Sequence, residues 1–369
     1  MSGEDNDAST DVRFGSGRPF SLGVEEELFV VDPLTGHQTN SSAAVLERLG
    51  ELRGSIAQEL HACQVELITD VHETTGEAID SLASMRRAVA EIGAGLLGSG
   101  THPSAVEGDA EITDQERYER IRFLLGDATV TPVAGLHVHV GMPDAATAIG
   151  TFNALRDQLP LLQALAANSP FRHGRDTGLA SAREISIRGW PRSGVPRALR
   201  DFEDFCELAQ LLATAADVAD YTWFWWKLRP HPRLGTVEVR ALDAQGSLRD
   251  AAAITALTHC LARDAAENPV SGGAPPELIE EGMFRAARFG VHASLPDAEG
   301  HLRPVAELLA DAQRIAARHS VELGCEAELD ELPGLLERAG GAGRQRRMHE
   351  LAGMDALLRD LAALTIDSA

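Results

Sequence analysis

Residues Ser21–Val31, SLGVEEELFVV, form an apolar run that carries three consecutive glutamates and closes on Asp32-Pro33 and Thr35-Gly36. Such a run reads as a strand, whose alternation sets Glu25 and Glu27 beside Gly23 and Phe29, and Glu26 among Leu22, Val24, Leu28 and Val30. Glutamate is disfavoured in strands and costly to bury. Two on one face therefore need cations, arginines or water, unless that face is simply exposed. The stretch Trp223–Asp243, WFWWKLRPHPRLGTVEVRALD, poses the same question with both charges present. From Thr236 onward, Val237, Val239 and Ala241 alternate with Thr236, Glu238, Arg240 and Leu242, so a regular strand sends Glu238 and Arg240 to one face. Taken alone, this fits a solvated strand with a cross-strand ion pair as well as it fits the wall of a site.

Other stretches repeat the pattern. Ile56–Val71, IAQELHACQVELITDV, predicts a strand pair or one bulged strand, and Glu59 and Glu66 reach one site only across a bulge or break. Thr129–Gly141, TVTPVAGLHVHVG, is a further strand with His137 and His139 on one face. That His-x-His spacing suits two metal ligands, or one ligand and one hydrogen-bonding wall residue. The loop Asn168–Arg192 concentrates Arg172, Arg175, Arg183 and Arg188, either to face an anion or as surface charge.

Between these strands the periodicity predicts helices at Ser42–Leu52, from the Thr74/Glu77 capping box to about Leu97, at Asp114–Leu125, at Asp144–Ala167 with Pro160 opening a second helix, and at Pro196–Asp220. Five more are predicted at Ser247–Glu267, Pro276–Phe289, Pro304–Leu323, Glu328–Arg338 and Arg344–Leu364. Residues 1–19, polar and rich in Gly and Ser, read as a disordered lead-in, and residues 20–369 as one α+β domain.

Thirty-three basic against 56 acidic residues give a net charge of −23, which repels a phosphate backbone and argues against nucleic acid as a partner. No apolar run approaches a membrane span, and no secretory signal opens the chain, so a cytoplasmic protein is expected. Cys63, Cys206, Cys260 and Cys325 lie far apart without a CxxC pair and are expected as free thiols. Lys227 is the one lysine, so an anionic ligand falls to arginines, helix ends or metal ions.

Glu25, Glu27, Glu66, His137 and Glu238 can thus face one side of an antiparallel sheet. This oxygen-rich set favours Mg2+ or Mn2+ over zinc, and nearby arginines suit a nucleoside triphosphate whose phosphates the metals bridge.

In order and spacing, several motifs make the chain resemble the carboxylate–amine ligases classed as type 2 glutamate–cysteine ligases, which are related to glutamine synthetase. They are Gly23-Val-Glu-Glu-Glu27, Val65-Glu66-Leu67, Gly100-Thr-His-Pro103, Gly135-Leu-His-Val-His-Val-Gly141, Ser169-Pro-Phe171 with Thr177-Gly-Leu-Ala-Ser-Ala-Arg183, and Arg229-Pro followed by Gly235-Thr-Val-Glu-Val-Arg-Ala-Leu-Asp243. The resemblance implies a curved six-stranded antiparallel sheet with helices outside, like the glutamine synthetase catalytic domain. It also implies ATP and Mg2+ in the concave face, and amide formation through an acyl phosphate. By position, Glu25, Glu27, Glu66, His137 and Glu238 are implied metal ligands, with Glu59 a further candidate. Arg240 is implied as a phosphate contact that works with Glu238 in catalysis, and Arg183 and Arg229 as contacts to substrate or nucleotide. Glu26 stands where some relatives carry an apolar residue and receives no role. Glutamate–cysteine ligase activity, giving γ-glutamylcysteine, ADP and phosphate, and a homodimer are further implications. Two alternatives stand beside this reading. One is a metal-dependent hydrolase built on His137, His139 and carboxylates, disfavoured because no strand–helix alternation surrounds the His-x-His. The other is a relative that binds ATP without consuming it.

Overall fold

The computed structural model describes residues 11–50, 55–269 and 273–367. The main sheet is built from strands β1 (Leu22–Val31), β2 (Ile56–Gln58), β3 (Gln64–Ile68), β4 (Gly95–Leu97), β5 (Gly135–Gly141), β8 (Leu228–His231) and β9 (Thr236–Asp243), with a hairpin of β6 (Phe171–Arg172) and β7 (Arg175–Asp176) between β5 and β8. Six strands run in the order β2-β3-β1-β5-β9-β8, every neighbour antiparallel. The short β4 adds a seventh by pairing with Phe29–Val31 of β1. Six strands were expected, and β4 is the addition. It occupies residues where the periodicity predicted the end of a helix, because that helix closes at Glu91 and Gly93 turns the chain with a positive φ of 77°.

Alternation along each strand divides the sheet into two faces. Val24, Leu28, Val65, Leu67, Leu136, Val138, Val237 and Val239 are buried in one core. Over it the Ala145–Ala166 helix lies across β8 and β9, the Leu248–Glu267 helix against β5, and the Thr75–Glu91 helix against β1 and β4. Thr74 and Glu77 form the expected capping box. The Ala145–Ala166 helix is continuous through Pro160, where two helices were expected. A proline inside a helix costs a hydrogen bond, and here its buried ring is pressed against Gly282 of the Pro276–Phe289 helix, where an added Cβ would sit 2.9 Å from Pro160 Cγ. The last predicted helix is divided at Gly353, φ 83°, into Gly340–Ala352 and Met354–Asp367.

Glu26, on the helix-facing side of β1, meets Arg86 of the Thr75–Glu91 helix with both side chains fully buried. Arg86 donates through Nε and Nη2 to the carboxylate, at 2.9 and 2.5 Å, and through Nη1 and Nη2 to the carbonyls of Gly246, Thr365 and Gln245. All five guanidinium donors are used. Arg86→Lys keeps the charge but cannot reproduce the fork, so it is expected to lower unfolding stability by about 1–3 kcal/mol, read from urea titration. An unchanged midpoint would contradict this.

Residues 1–10 of the expected tail lie outside the described residues. Residues 11–19 correct that expectation by lying against the body: the Arg13 amide donates to the Pro232 carbonyl, the Gly15 amide to that of Met142, and the Phe14 ring packs on Phe202. Among the described residues none of the four cysteines is in a disulfide, and Cys260 Sγ and Cys325 Sγ lie 3.4 Å apart in the core. Among the described residues, no helix is long and apolar enough to cross a membrane.

Candidate functional site

Strand register brings the sequence candidates together on the face opposite the helices. Glu25 of β1 stands across from His137 of β5 on one side and Ile68 of β3 on the other, while Glu27 faces Glu66. On β5, His139 faces Glu238 of β9, which in turn faces Arg229 of β8. Glu59 arrives by the break that the strand-pair reading required: β2 ends at Gln58, and the chain returns as β3 from Gln64. Three groups result, each with ligand atoms within 4.8 Å of one another: Glu25, His139 and Glu238; Glu25, Glu66 and His137; and Glu27, Glu59 and Glu66. Because Glu25 and Glu66 are each shared, the groups form one continuous row.

Within the row, His137 Nδ1 is 3.2 Å from a Glu25 oxygen and its Nε2 is 3.7 Å from Glu27. His139 Nδ1 meets the Thr236 hydroxyl at 3.0 Å, which leaves Nε2 facing Glu25 at 3.3 Å and Glu238 at 3.6 Å. That Nε2 is buried and has no hydrogen-bond partner. An orphaned imidazole nitrogen aimed between two carboxylates is what a cation ligand looks like before the cation is added, and the carboxylate-rich set suits a hard divalent ion such as Mg2+ or Mn2+. His139, which the sequence left open between metal ligand and hydrogen-bonding wall residue, therefore joins the candidates, and the His-x-His spacing was its signal.

Glu238 is fully buried and shared. It accepts from Arg229 Nε at 2.5 Å and is ion-paired to Arg240. The cross-strand ion pair and the site wall, held apart as alternatives from sequence, are one structure. The regular alternation fails after Arg240, since a bulge sets Val239–Leu242 against Leu136–Val138 and returns Leu242 to the core. Asp243, beyond the bulge, accepts from the Ser169 and Ser181 hydroxyls and the Asn168 amide, at 2.6, 2.8 and 2.9 Å. It thereby pins the arginine-rich loop to the sheet.

That loop delivers Arg183 against β5. An added Cβ on Gly135 would lie 2.5 Å from Arg183 Nη2, so a larger residue there would displace the guanidinium from this position. Arg183 is 3% exposed. It donates from Nη2 to the Arg240 carbonyl, while its Nε and Nη1 have no partner. Lys227, also buried, is ion-paired to Glu184. Of the other loop arginines, Arg172 bonds Ser186 and Arg188 bonds Glu184 and Glu280, and neither lines the cavity over the row.

The row forms the floor between two cavities. One, of about 350 Å3, is lined by Glu25, Glu27, Glu59, Glu66 and His137 and by Arg183, Lys227, Arg229 and Arg240, with Tyr118, Trp190 and Trp225 among its aromatic walls. The other, about 390 Å3, is lined by Arg13, Arg18, Gly23, Val24, Ile68, His139, Met142, Leu234 and Thr236. Glu25 belongs to both.

Crowding of carboxylates shifts their titration. Burial, then Glu27, pushes Glu59 up to about 8, and burial, then Glu59, Glu25 and Glu27, raises Glu66 well above the carboxylate range. Burial also opposes ionisation of Glu25, but His139 and His137 outweigh it and hold Glu25 well below that range. At neutral pH the metal-free row thus holds protons that a divalent cation must displace. Mg2+ affinity, measured by calorimetry on metal-free protein, is expected to strengthen as pH rises toward about 8, with protons released on binding. A pH-independent affinity without proton release would contradict this arrangement.

Comparison with known proteins gives concordant results. The model of glutamate-cysteine ligase family 2 matches residues 21–360. Two Rubrobacter xylanophilus proteins named as candidate type 2 glutamate–cysteine ligases are 38% and 40% identical, over 90% and 91% of this chain and 91% and 94% of their own lengths. A Micrococcus luteus protein named likewise is 35% identical over 96% of both chains. Among solved structures, a glutamate–cysteine ligase from Francisella tularensis in complex with AMP superposes with a TM-score of 0.75 at 13% identity, covering 95% of this chain and 89% of that one. At that identity the likeness is one of fold.

Proposed function

The chain belongs to glutamate-cysteine ligase family 2, and from that premise we propose that it is an ATP-dependent carboxylate–amine ligase, with weak or moderate glutamate–cysteine ligase activity. The observation that carries the proposal is the row of carboxylates and imidazoles lying between two cavities, with unpartnered guanidinium donors at its edge. Such a floor lets two reactants approach charged groups from opposite sides. The Francisella ligase was solved with AMP, in keeping with a nucleotide in this fold.

Glu25, Glu27, Glu66, His137 and Glu238, with Glu59 and His139, would hold Mg2+ or Mn2+, which offsets charge on the triphosphate and orients it. The remaining work falls to the chain. Joining a carboxylate to an amine in water requires a better leaving group than oxide. Attack of the carboxylate oxygen on the γ-phosphorus, with ADP departing, makes one without a protein nucleophile. Amine attack on the acyl carbon then expels phosphate. Arg240 and Arg183 face the cavity where negative charge gathers in both steps, and their low-dielectric surroundings strengthen that attraction.

An ADP-release assay across a panel of amino acids and amines tests the proposal. Release is expected to need a divalent cation, a carboxylate and an amine together. Cation-dependent hydrolysis without ATP would favour the hydrolase built on His137 and His139, and ATP binding without turnover would favour a non-catalytic relative. A cytoplasmic homodimer completes the proposal, and light scattering tests the dimer directly.

A further inference from the structure

We propose that the amine joined to the acceptor, the carboxylate that takes the phosphoryl group, carries a bulky apolar substituent, seated on an aromatic wall around Trp190 and Trp225, and that cysteine is a poor substitute for it. This rests on the ligase proposal and names the amine class of the same site. The cavity of about 350 Å3 over the row is charged only in part. Besides the acids and arginines, it is lined by Tyr118, Ile121, Val133, Ile187, Trp190 and Trp225. Trp190 and Trp225 meet edge to face, with ring centroids 5.0 Å apart, and both keep part of their surface exposed. Two large rings left partly uncovered in a cavity offer apolar area that a ligand gains by burying.

The polar atoms of this wall are largely spent on the protein. Trp190 Nε1 donates to the Ala128 carbonyl and the Tyr118 hydroxyl to that of Gln58, both at 2.8 Å. His61 has one ring nitrogen on Gln64 and the other on the Thr129 carbonyl, and the Gln64 amide donates to the Val133 carbonyl. Arg117 donates to Thr222 and lies 4.7 Å from the centroid of the Trp223 ring. What remains for a ligand is chiefly ring and aliphatic surface. Charge holds the acyl phosphate at the row, so the reactant left to meet the wall is the amine, which must reach the acyl carbon within the same cavity. A small thiol covers little of that surface, and a hexyl or phenyl group covers much more.

ADP release with one fixed carboxylate and ethylamine, butylamine or hexylamine tests this. The three amines have nearly equal basicity, so the ratio of their kcat/KM values reads burial of the chain. Hexylamine is expected to exceed ethylamine by about a hundredfold, and phenylalanine to exceed cysteine by about tenfold or more. In Trp225→Ala the hexylamine-to-ethylamine ratio should fall about tenfold. Should that variant not fold, the wild-type series decides alone. Equal rates along the series, cysteine as the best amine, or an unmoved ratio in Trp225→Ala would each overturn the inference. So would a gain from lengthening the carboxylate and none from lengthening the amine, which would give the wall to the acceptor. Calorimetric binding of hexylamine and ethylamine to the wild-type protein, without ATP, should follow the same order. If no amine supports ADP release, the ligase proposal itself fails, and the calorimetric order still judges the wall.

Discussion

Glu238→Gln is expected to abolish Mg2+-dependent ADP release and also to lower unfolding stability by roughly 2–5 kcal/mol. Glu238 is fully buried and balances two arginines, Arg229 and Arg240, while presenting an oxygen 3.6 Å from His139 Nε2. Glutamine keeps the shape and loses the charge, leaving the buried Arg229 guanidinium without its carboxylate and Arg240 without its paired one. From sequence alone the same change would be expected to spare the fold, since removing one metal ligand opens no core cavity. The shared ion pair alters that expectation. Urea titration and ADP release on the same preparation check both halves. Retained turnover, or an unmoved urea midpoint, would each contradict one.

Arg240→Ala is expected to lower turnover by about 10³ or more, the scale attributed to an arginine that steadies a phosphoryl group in flight. Nucleotide affinity should change much less, because the acid row and its cations would still hold the triphosphate. Arg240 lines the cavity over the row and is ion-paired to Glu238, so its loss also leaves Glu238 with Arg229 as its remaining arginine. Comparing kcat with the affinity for ADP separates the two effects. A parallel fall in both would make Arg240 a nucleotide anchor instead of a transition-state group.

Much of the site was legible because strands impose a period of two. Glu25 and Glu27, His137 and His139, and Glu238 and Arg240 each share a face by parity alone, and the register confirms each pair. What parity could not supply was partnership between distant strands. The Arg229–Glu238 pair depends on β8 and β9 forming a hairpin in one register. The convergence of Glu59 with Glu66 depends on where the chain breaks after Gln58. Glu26 received no role from sequence, and its partner, Arg86, lies 60 positions away on a helix that strand parity does not reach. Helix ends were the least legible. The apolar period runs through Gly93 and Gly353 without registering the positive φ that each supplies, and it places a break at Pro160 that the packing on Gly282 removes.

Phosphorylation of the acceptor's carboxylate before the amine attacks would carry one carboxylate oxygen to phosphorus. Oxygen transfer tests it most directly. With an acceptor whose reacting carboxylate carries ¹⁸O, one labelled oxygen is expected in the phosphate released with ADP, seen as an isotope shift by ³¹P resonance. Phosphate free of label, or label recovered in AMP, would contradict it.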